Sequence, residues 1–160
     1  MKSLIIYTST HHKNTEKIAK TMAEILNAEL IKTTEVNMNE LSKYDLIGFG
    51  SGIYFGQHHK SLLRLIDKLP NLKVKKAFIF STSGMSNTGN LTYNIWHRIT
   101  HFHVPLRKEL INKAFDIIGE FDCRGFDTAG PFKFIGGINK GKPNEKDFEN
   151  ARKFAKNLII

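Results

Sequence analysis

The sequence predicts an α/β protein, a doubly wound five-stranded parallel sheet in a three-layer sandwich with helices on both faces. Three observations carry that expectation. Short apolar runs alternate with amphipathic helical stretches along the whole chain, the pattern of successive βαβ units, whose right-handed crossovers cover both faces of a sheet. The central run, Tyr44-Asp45-Leu46-Ile47-Gly48-Phe49-Gly50, is almost continuously apolar, as in a strand buried on both sides. Polar loops rich in hydroxyls or glycine follow the first, third and fourth runs, at the strand ends where such sheets hold ligands.

Taken in order, Ser3–Thr8 reads as the first strand. Thr15–Asn27 reads as a helix, with Ile18, Met22, Ile25 and Leu26 on one face, Asn14 at the N-cap position and Glu16 in the first turn. Ala28–Thr33 is a short second strand and Asn37–Lys43 a helical turn. After the third strand, Ser51–Gln57 is a glycine- and aromatic-rich loop. His58–Leu69 is a helix that buries Leu62, Leu63, Leu65, Ile66 and Leu69 and that Pro70 ends. Lys75–Thr82 is the fourth strand and Ser83–Asn90 a second polar loop. Leu91–Ala114 reads as helix in two pieces, broken near Pro105. Phe115–Phe121 is the fifth strand. Asp122–Pro143 is a long connection, of the kind that is functional or packed on itself. Asn144 caps a last helix, with Asp147 three residues on and Phe148, Ala151, Phe154, Ala155 and Leu158 along its inner face. No repeat or linker divides the chain, so residues 1–160 form one domain.

Composition narrows the class. Cys123 is the only cysteine, so no internal disulfide can form, which suits a reducing compartment. No apolar run approaches the roughly 20 residues that span a bilayer, and the first strand begins too early to leave room for a leader. A cytoplasmic protein, not an integral membrane protein, is expected. The formal charge is +9 with a pI near 9.7. The lysines are spread at helical spacing rather than in blocks, which suits solvated faces or a docking face for an acidic partner. The chain lacks Lys/Arg-aromatic interleaving and any nucleic-acid motif, so nucleic acid is not an expected partner.

The stretch Lys2–Ala19 organises the chemistry. A buried strand runs through Thr8-Ser9-Thr10-His11-His12-Lys13 into a helix that opens at Asn14-Thr15. The free N–H groups of a helix's first turn, its macrodipole, nearby hydroxyls and Lys13 together make an anion pocket. The loops after the third and fourth strands, GSGIYFGQ and STSGMSNTGN, offer small residues, aromatics and backbone donors. A flat heterocycle bearing one phosphate needs this set: an anion cradle, a slot between apolar side chains and polar groups along one edge.

In these residues the chain resembles the flavodoxins. Ser9-Thr10-His11-His12-Lys13-Asn14-Thr15 is similar to the family's phosphate loop, with a histidine-lysine pair where glycine is usual. Gly50–Gly56 and Ser81–Met85 resemble its two ring-binding loops, and the late stretch Gly130–Gly141 resembles small flavodoxin-domain proteins. The resemblance implies a strand order of 2-1-3-4-5 and FMN as cofactor. It implies that Ser9, Thr10, His11, Asn14 and Thr15 hold the phosphate. Ser51, Gly52, Ile53, Tyr54 and Phe55, with Ser81, Thr82, Ser83, Gly84 and Met85, would hold the ring. Tyr54 is the first candidate to lie on a ring face and Phe55 the second. Gly52 is the candidate for a peptide that turns on reduction. The cofactor then does the redox work, with no catalytic residue and no metal, and the protein passes electrons between redox partners. The basic charge suits partners with acidic faces. An alternative is an FMN oxidoreductase, because Gly50–Leu62 also resembles the flavodoxin-like, quinone-dependent protoporphyrinogen oxidases.

Other reactive residues read as structural. His58-His59 reads as a solvated helix start and Cys123 as a small packed thiol. His97, His101 and His103 cluster at a helix end without a nearby carboxylate or cysteine in sequence, so they are not read as a zinc site.

Overall fold

The computed structural model describes residues 1–70, 75–84 and 93–159, with side chains from residue 102 onward in the helix that starts at Tyr93. Its elements are β1 Ser3–Thr8, α1 Asn14–Leu26, β2 Glu29–Lys32, a 3-10 helix Met38–Lys43, β3 Leu46–Tyr54, β4 Gln57–His58 and α2 Lys60–Asp67. These are followed by β5 Lys75–Ser83, α3 Tyr93–Asn112, β6 Phe115–Arg124, a 3-10 helix Gly130–Ile135 and α4 Glu145–Asn157. The parallel sheet runs β2-β1-β3-β5-β6, with β4 hairpinned onto β3. Counting only the strands of the parallel sheet, this is the expected order.

Period-two alternation divides each central strand between two cores. Leu4, Ile6, Ile47, Phe49, Ala77 and Ile79 face one way, where they meet Leu62, Leu65 and Ile66 of α2 and Leu106 and Leu110 of α3. Ile5, Tyr7, Leu46, Phe78 and Phe80 face the other, against Ile18, Met22 and Leu26 of α1 and Ala151 and Ala155 of α4. The glycines of β3 belong to this second face. A Cβ on Gly48 would lie 2.2 Å from Phe78 Cζ, and one on Gly50 would lie 2.1 Å from Phe80 Cζ. Two aromatic rings of β5 therefore rest directly on the β3 backbone. The pairing places Ser51 opposite Ser81 and Gly52 opposite Thr82.

Five expectations change. The last parallel strand, β6, runs past Phe121 to Arg124, into the stretch expected as connection, by pairing with Ser81–Ser83 of β5. α1 starts one residue earlier: Lys13 is its N-cap, in the left-handed conformation and without a side-chain cap, so Asn14 is the first helical residue. The loop expected at Ser51–Gln57 is a hairpin. β3 continues to Tyr54, and Phe55 (φ 50) and Gly56 (φ 79) make the turn. Two successive positive φ values match the twist of the flanking strands. His58 consequently lies in β4, and α2 begins at Lys60. α3 is continuous through Pro105 rather than broken. A proline there costs about 3 kcal/mol, and burial of Leu106 and Leu110 against the sheet offsets it. The C-terminal helix does carry the expected capping box between Asn144 and Asp147.

Because the Phe80 ring occupies the space of a Gly50 side chain, Gly50→Ala should destabilise the protein by about 1–3 kcal/mol in urea unfolding. Adding Phe80→Leu should recover part of the loss. Strictly additive losses would show that the two residues do not share this space.

Candidate functional site

At the carboxyl edge of the sheet one cleft is lined by Ser9, His11, Asn14 and Thr15 from the first loop, Gly52, Ile53 and Tyr54 from β3, and Thr82, Ser83 and Gly84 from β5. Ten of the fifteen residues expected to bind a ligand thus share a single lining. Thr10 and Phe55 fall on the neighbouring hollow, with His11, Tyr54 and Gln57–Lys60. Ser51 and Ser81 are buried in their strands and bond inward to His58 and His103, so they support the cleft from beneath rather than line it. Met85 lies outside the described residues, as do residues 86–92 of the second polar loop and the side chains of His97 and His101.

The first loop is bent for its task. His12 (φ 54) and Lys13 (φ 55) are both left-handed, the conformation glycine usually provides. Each costs on the order of 1–2 kcal/mol. His12 is held by its ring against Phe126, 4.4 Å between centroids, and by Nε2 to Thr128 Oγ1 at 2.8 Å. The turn delivers α1 with its N-terminus uncapped by any side chain, so the first-turn N–H groups stay available to an anion. Thr15 Oγ1 meets Thr82 Oγ1 at 2.9 Å, tying the start of α1 to the end of β5.

The connection after β6 forms a further wall of the cleft. Gly125, Phe126 and Asp127 complete the cleft. Asn14 Nδ2 donates to Phe126 O at 2.7 Å and fills the space beside Gly125, where a Cβ would lie 2.6 Å from it. Asp127 occupies the space beside Gly84 in the same way, and Asn139 Nδ2 donates to Gly84 O at 2.6 Å. The length of this connection and its glycines were the visible signal; its contacts were not. His11 and the Asp127 carboxylate both line the cleft.

Tyr54 closes the cleft on the hairpin side. Its hydroxyl bonds to Thr10 Oγ1, and its ring lies edge-on to His11 and His59, at 6.3 and 5.4 Å. Gly52 makes room for it, since a Cβ there would come within 3.0 Å of the Tyr54 ring. Gly52 is an extended strand residue paired with Thr82, and its carbonyl accepts from Ser51 Oγ at 2.9 Å. Phe55 and Gly56 are the positive-φ residues of this segment. Phe55 stands fully exposed at the hairpin tip.

His58 and His59 are not a solvated helix start. His58 is buried, its Nδ1 2.9 Å from Ser51 Oγ, and burial followed by the nearby charge of His103 lowers its pKa to about 3. His59 caps α2 by accepting from Ser61 N, and burial, His11 and Lys60 lower its pKa. Cys123 packs against the second core, and burial pushes its thiol well above the ordinary range, consistent with a packed residue. Among the described residues no group of His, Cys, Asp or Glu is arranged to hold a metal.

The sequence and the fold are matched among known proteins. A family model described as a flavodoxin domain matches residues 4–113. The chain belongs to the flavodoxin domain family. It is 50% identical over 159 residues to an uncharacterised protein of Methanocaldococcus jannaschii, covering 99% of both chains. The flavodoxin fold is also seen in solved structures: an archaeal flavodoxin (TM-score 0.70, 14% identity, 99% of this chain and 96% of that one) and flavodoxin 1 of Bacillus cereus (0.68, 16%, 99% and 97%). The chain is similar as well to 34% of rubredoxin oxygen:oxidoreductase from Desulfovibrio gigas, with TM-score 0.66, 16% identity and 97% of this chain covered.

Burial of neutral His58 gives a pH prediction. Its folded pKa lies below the unfolded value, so its contribution to stability is full above about pH 6.5 and is lost as pH falls toward about 3. Between those limits it adds a slope of up to about 1.4 kcal/mol per pH unit. Urea unfolding at pH 7 and pH 5 should show a smaller difference for His58→Gln than for the parent. An unchanged difference would remove His58 as its source.

Proposed function

We propose that this flavodoxin-domain protein binds FMN in the cleft and carries electrons between redox partner proteins in the cytoplasm. One observation carries the reading: an uncapped helix N-terminus and the ends of β3 and β5 open into a single cleft. The residues fit the group. Ser9, Thr10, His11, Asn14 and Thr15 would hold the phosphate through hydroxyls, the amide and first-turn N–H groups. Gly52, Ile53, Tyr54, Thr82, Ser83 and Gly84 would hold the ring, with Phe55 at its rim, Ser51 and Ser81 fixing the strand ends below, and Met85 as a further expected contact. The bound flavin supplies one- and two-electron chemistry, while the chain binds it, orients it and sets its electrostatic surroundings.

The charge of +9 supports partners with acidic docking faces and salt-sensitive association. Among the described residues no helix is long and apolar enough to cross a membrane. The hollow behind Tyr54, lined by Thr10, His11, Phe55 and Gln57–Lys60, favours one second reading. It offers a small molecule room beside the cofactor cleft, as an FMN oxidoreductase of the protoporphyrinogen oxidase type would require. Turnover of protoporphyrinogen with a quinone would select that reading. Reduction by a protein partner without small-molecule turnover would select the carrier.

Thr10→Ala combined with Thr15→Ala should weaken FMN by roughly ten- to a hundred-fold per lost hydrogen bond to the phosphate, with riboflavin affected only slightly, as read by fluorescence titration. Equal losses for the two flavins would overturn the phosphate assignment. Tyr54→Ala should loosen the ring or raise the potential of the second reduction step, and an unchanged redox titration would remove Tyr54 from the site.

A further inference from the structure

Two serine-histidine pairs lie side by side beneath the cleft. Ser51 of β3 and Ser81 of β5 are direct register partners. Ser51 Oγ is 2.9 Å from His58 Nδ1, and Ser81 Oγ is 2.8 Å from His103 Nε2. The two imidazoles are 5.0 Å apart. His103 is fully buried and His58 nearly so. The surroundings of the two rings differ. His103 Nδ1 lies 3.0 Å from Glu120 Oε2, and Glu120 is also gripped by Arg107 through Nε and, at 2.8 Å, through Nη2. Burial opposes charge on Glu120, but the hydrogen bonds from His103 and Arg107 prevail and hold its pKa at about 2. Ser81 Oγ, on its other side, lies 3.0 Å from Asp122 Oδ1.

With Glu120 and Asp122 both ionised, proton counting selects one state for this chain of groups. Ionised Glu120 can only accept, so His103 Nδ1 carries a proton. Ser81 has one hydroxyl proton and two neighbours that compete for it. If it goes to His103 Nε2, two acceptor oxygens, Ser81 Oγ and Asp122 Oδ1, face each other at 3.0 Å with no proton between them. If it goes to Asp122, every contact is satisfied, provided that His103 Nε2 also carries a proton and donates to Ser81 Oγ. The second imidazole, His58 on β4, is the neutral member of the pair, as expected for two rings too close to share positive charge.

We propose that His103 is a resident imidazolium, locked between Glu120 and the Ser81–Asp122 pair, that places a fixed positive charge under the strand ends forming the ring side of the cleft. The functional half rests on the FMN reading above. Reduction adds negative charge to a flavin, and a positive charge held in a poorly solvated interior eases that addition. His103 is a positioning and electrostatic residue; it does not line the cleft.

Nitrogen-15 spectra of histidine-labelled protein without flavin test the proton directly. At pH 7 both ring nitrogens of His103 should resonate as protonated, while His58 shows one bare nitrogen. A bare Nε2 on His103 would overturn the proposal. In Asp122→Asn an amide can donate to Ser81, which frees the serine proton for His103. That variant should turn His103 into the neutral form or markedly lower the pH at which it gives up its second proton. No change would remove the proton chain. With FMN bound, His103→Gln should shift the midpoint potential downward. In the parent, the potential should change its pH dependence at the pH where His103 titrates in the spectra. A potential indifferent to both would overturn the electrostatic half while leaving the imidazolium standing. Failure to bind FMN at all would overturn the reading of the cleft and leave the flavin-free spectra unaffected.

Discussion

The contact on which the rest depends is the seating of Phe78 and Phe80 on the bare backbone of Gly48 and Gly50. Aromatic rings contribute large buried area, and here they occupy the volume that side chains on β3 would need. A slip by one residue would put those rings against Ile47 and Phe49, which belong to the opposite core. The contact therefore helps fix β3 against β5. That register brings Ser51 opposite Ser81 and Gly52 opposite Thr82 at the edge where the cleft opens.

From that edge upward the protein is built by filling space beside glycines. Asn14 fills the place beside Gly125, Asp127 the place beside Gly84, and Tyr54 the place beside Gly52. Asn14 and Asp127 come from distant parts of the chain and lock the first loop and β5 to the β6–α4 connection, while the Tyr54 hydroxyl ties the hairpin to Thr10 of the first loop. The strain in His12 and Lys13 is tolerable within this arrangement. His12 gains a ring contact and a hydrogen bond to the connection, and Lys13 ends the turn where α1 must begin.

Charge is organised at two levels. Over the whole molecule the excess is strongly positive and spread along the surface lysines. Beneath the cleft, charge is paired at short range, Arg107 with Glu120, beside buried His103. The first level acts over a distance and is screened by salt; the second acts at short range in poor solvent and is screened much less. A ligand in the cleft would feel chiefly the second.

The sequence by itself determined the layer architecture, the position of each parallel strand and the stretch that opens α1, because periodicity and capping are local properties. Ile5 and Tyr7 alternate with Leu4 and Ile6, and Asn144 with Asp147 marks the start of α4 without help from the rest of the chain. Most of the cleft's lining was legible for the same reason, since ligand sites in such sheets follow strand ends. Tertiary structure decided what depends on distant partners. It turned Ser51 and Ser81 inward to histidines on β4 and α3, carried α3 through Pro105 by burying the leucines that follow it, and brought Gly125, Phe126 and Asp127 across to Asn14 and Gly84. These outcomes balance a local penalty against a contact made far away in sequence, and that balance exists only once the chain has folded.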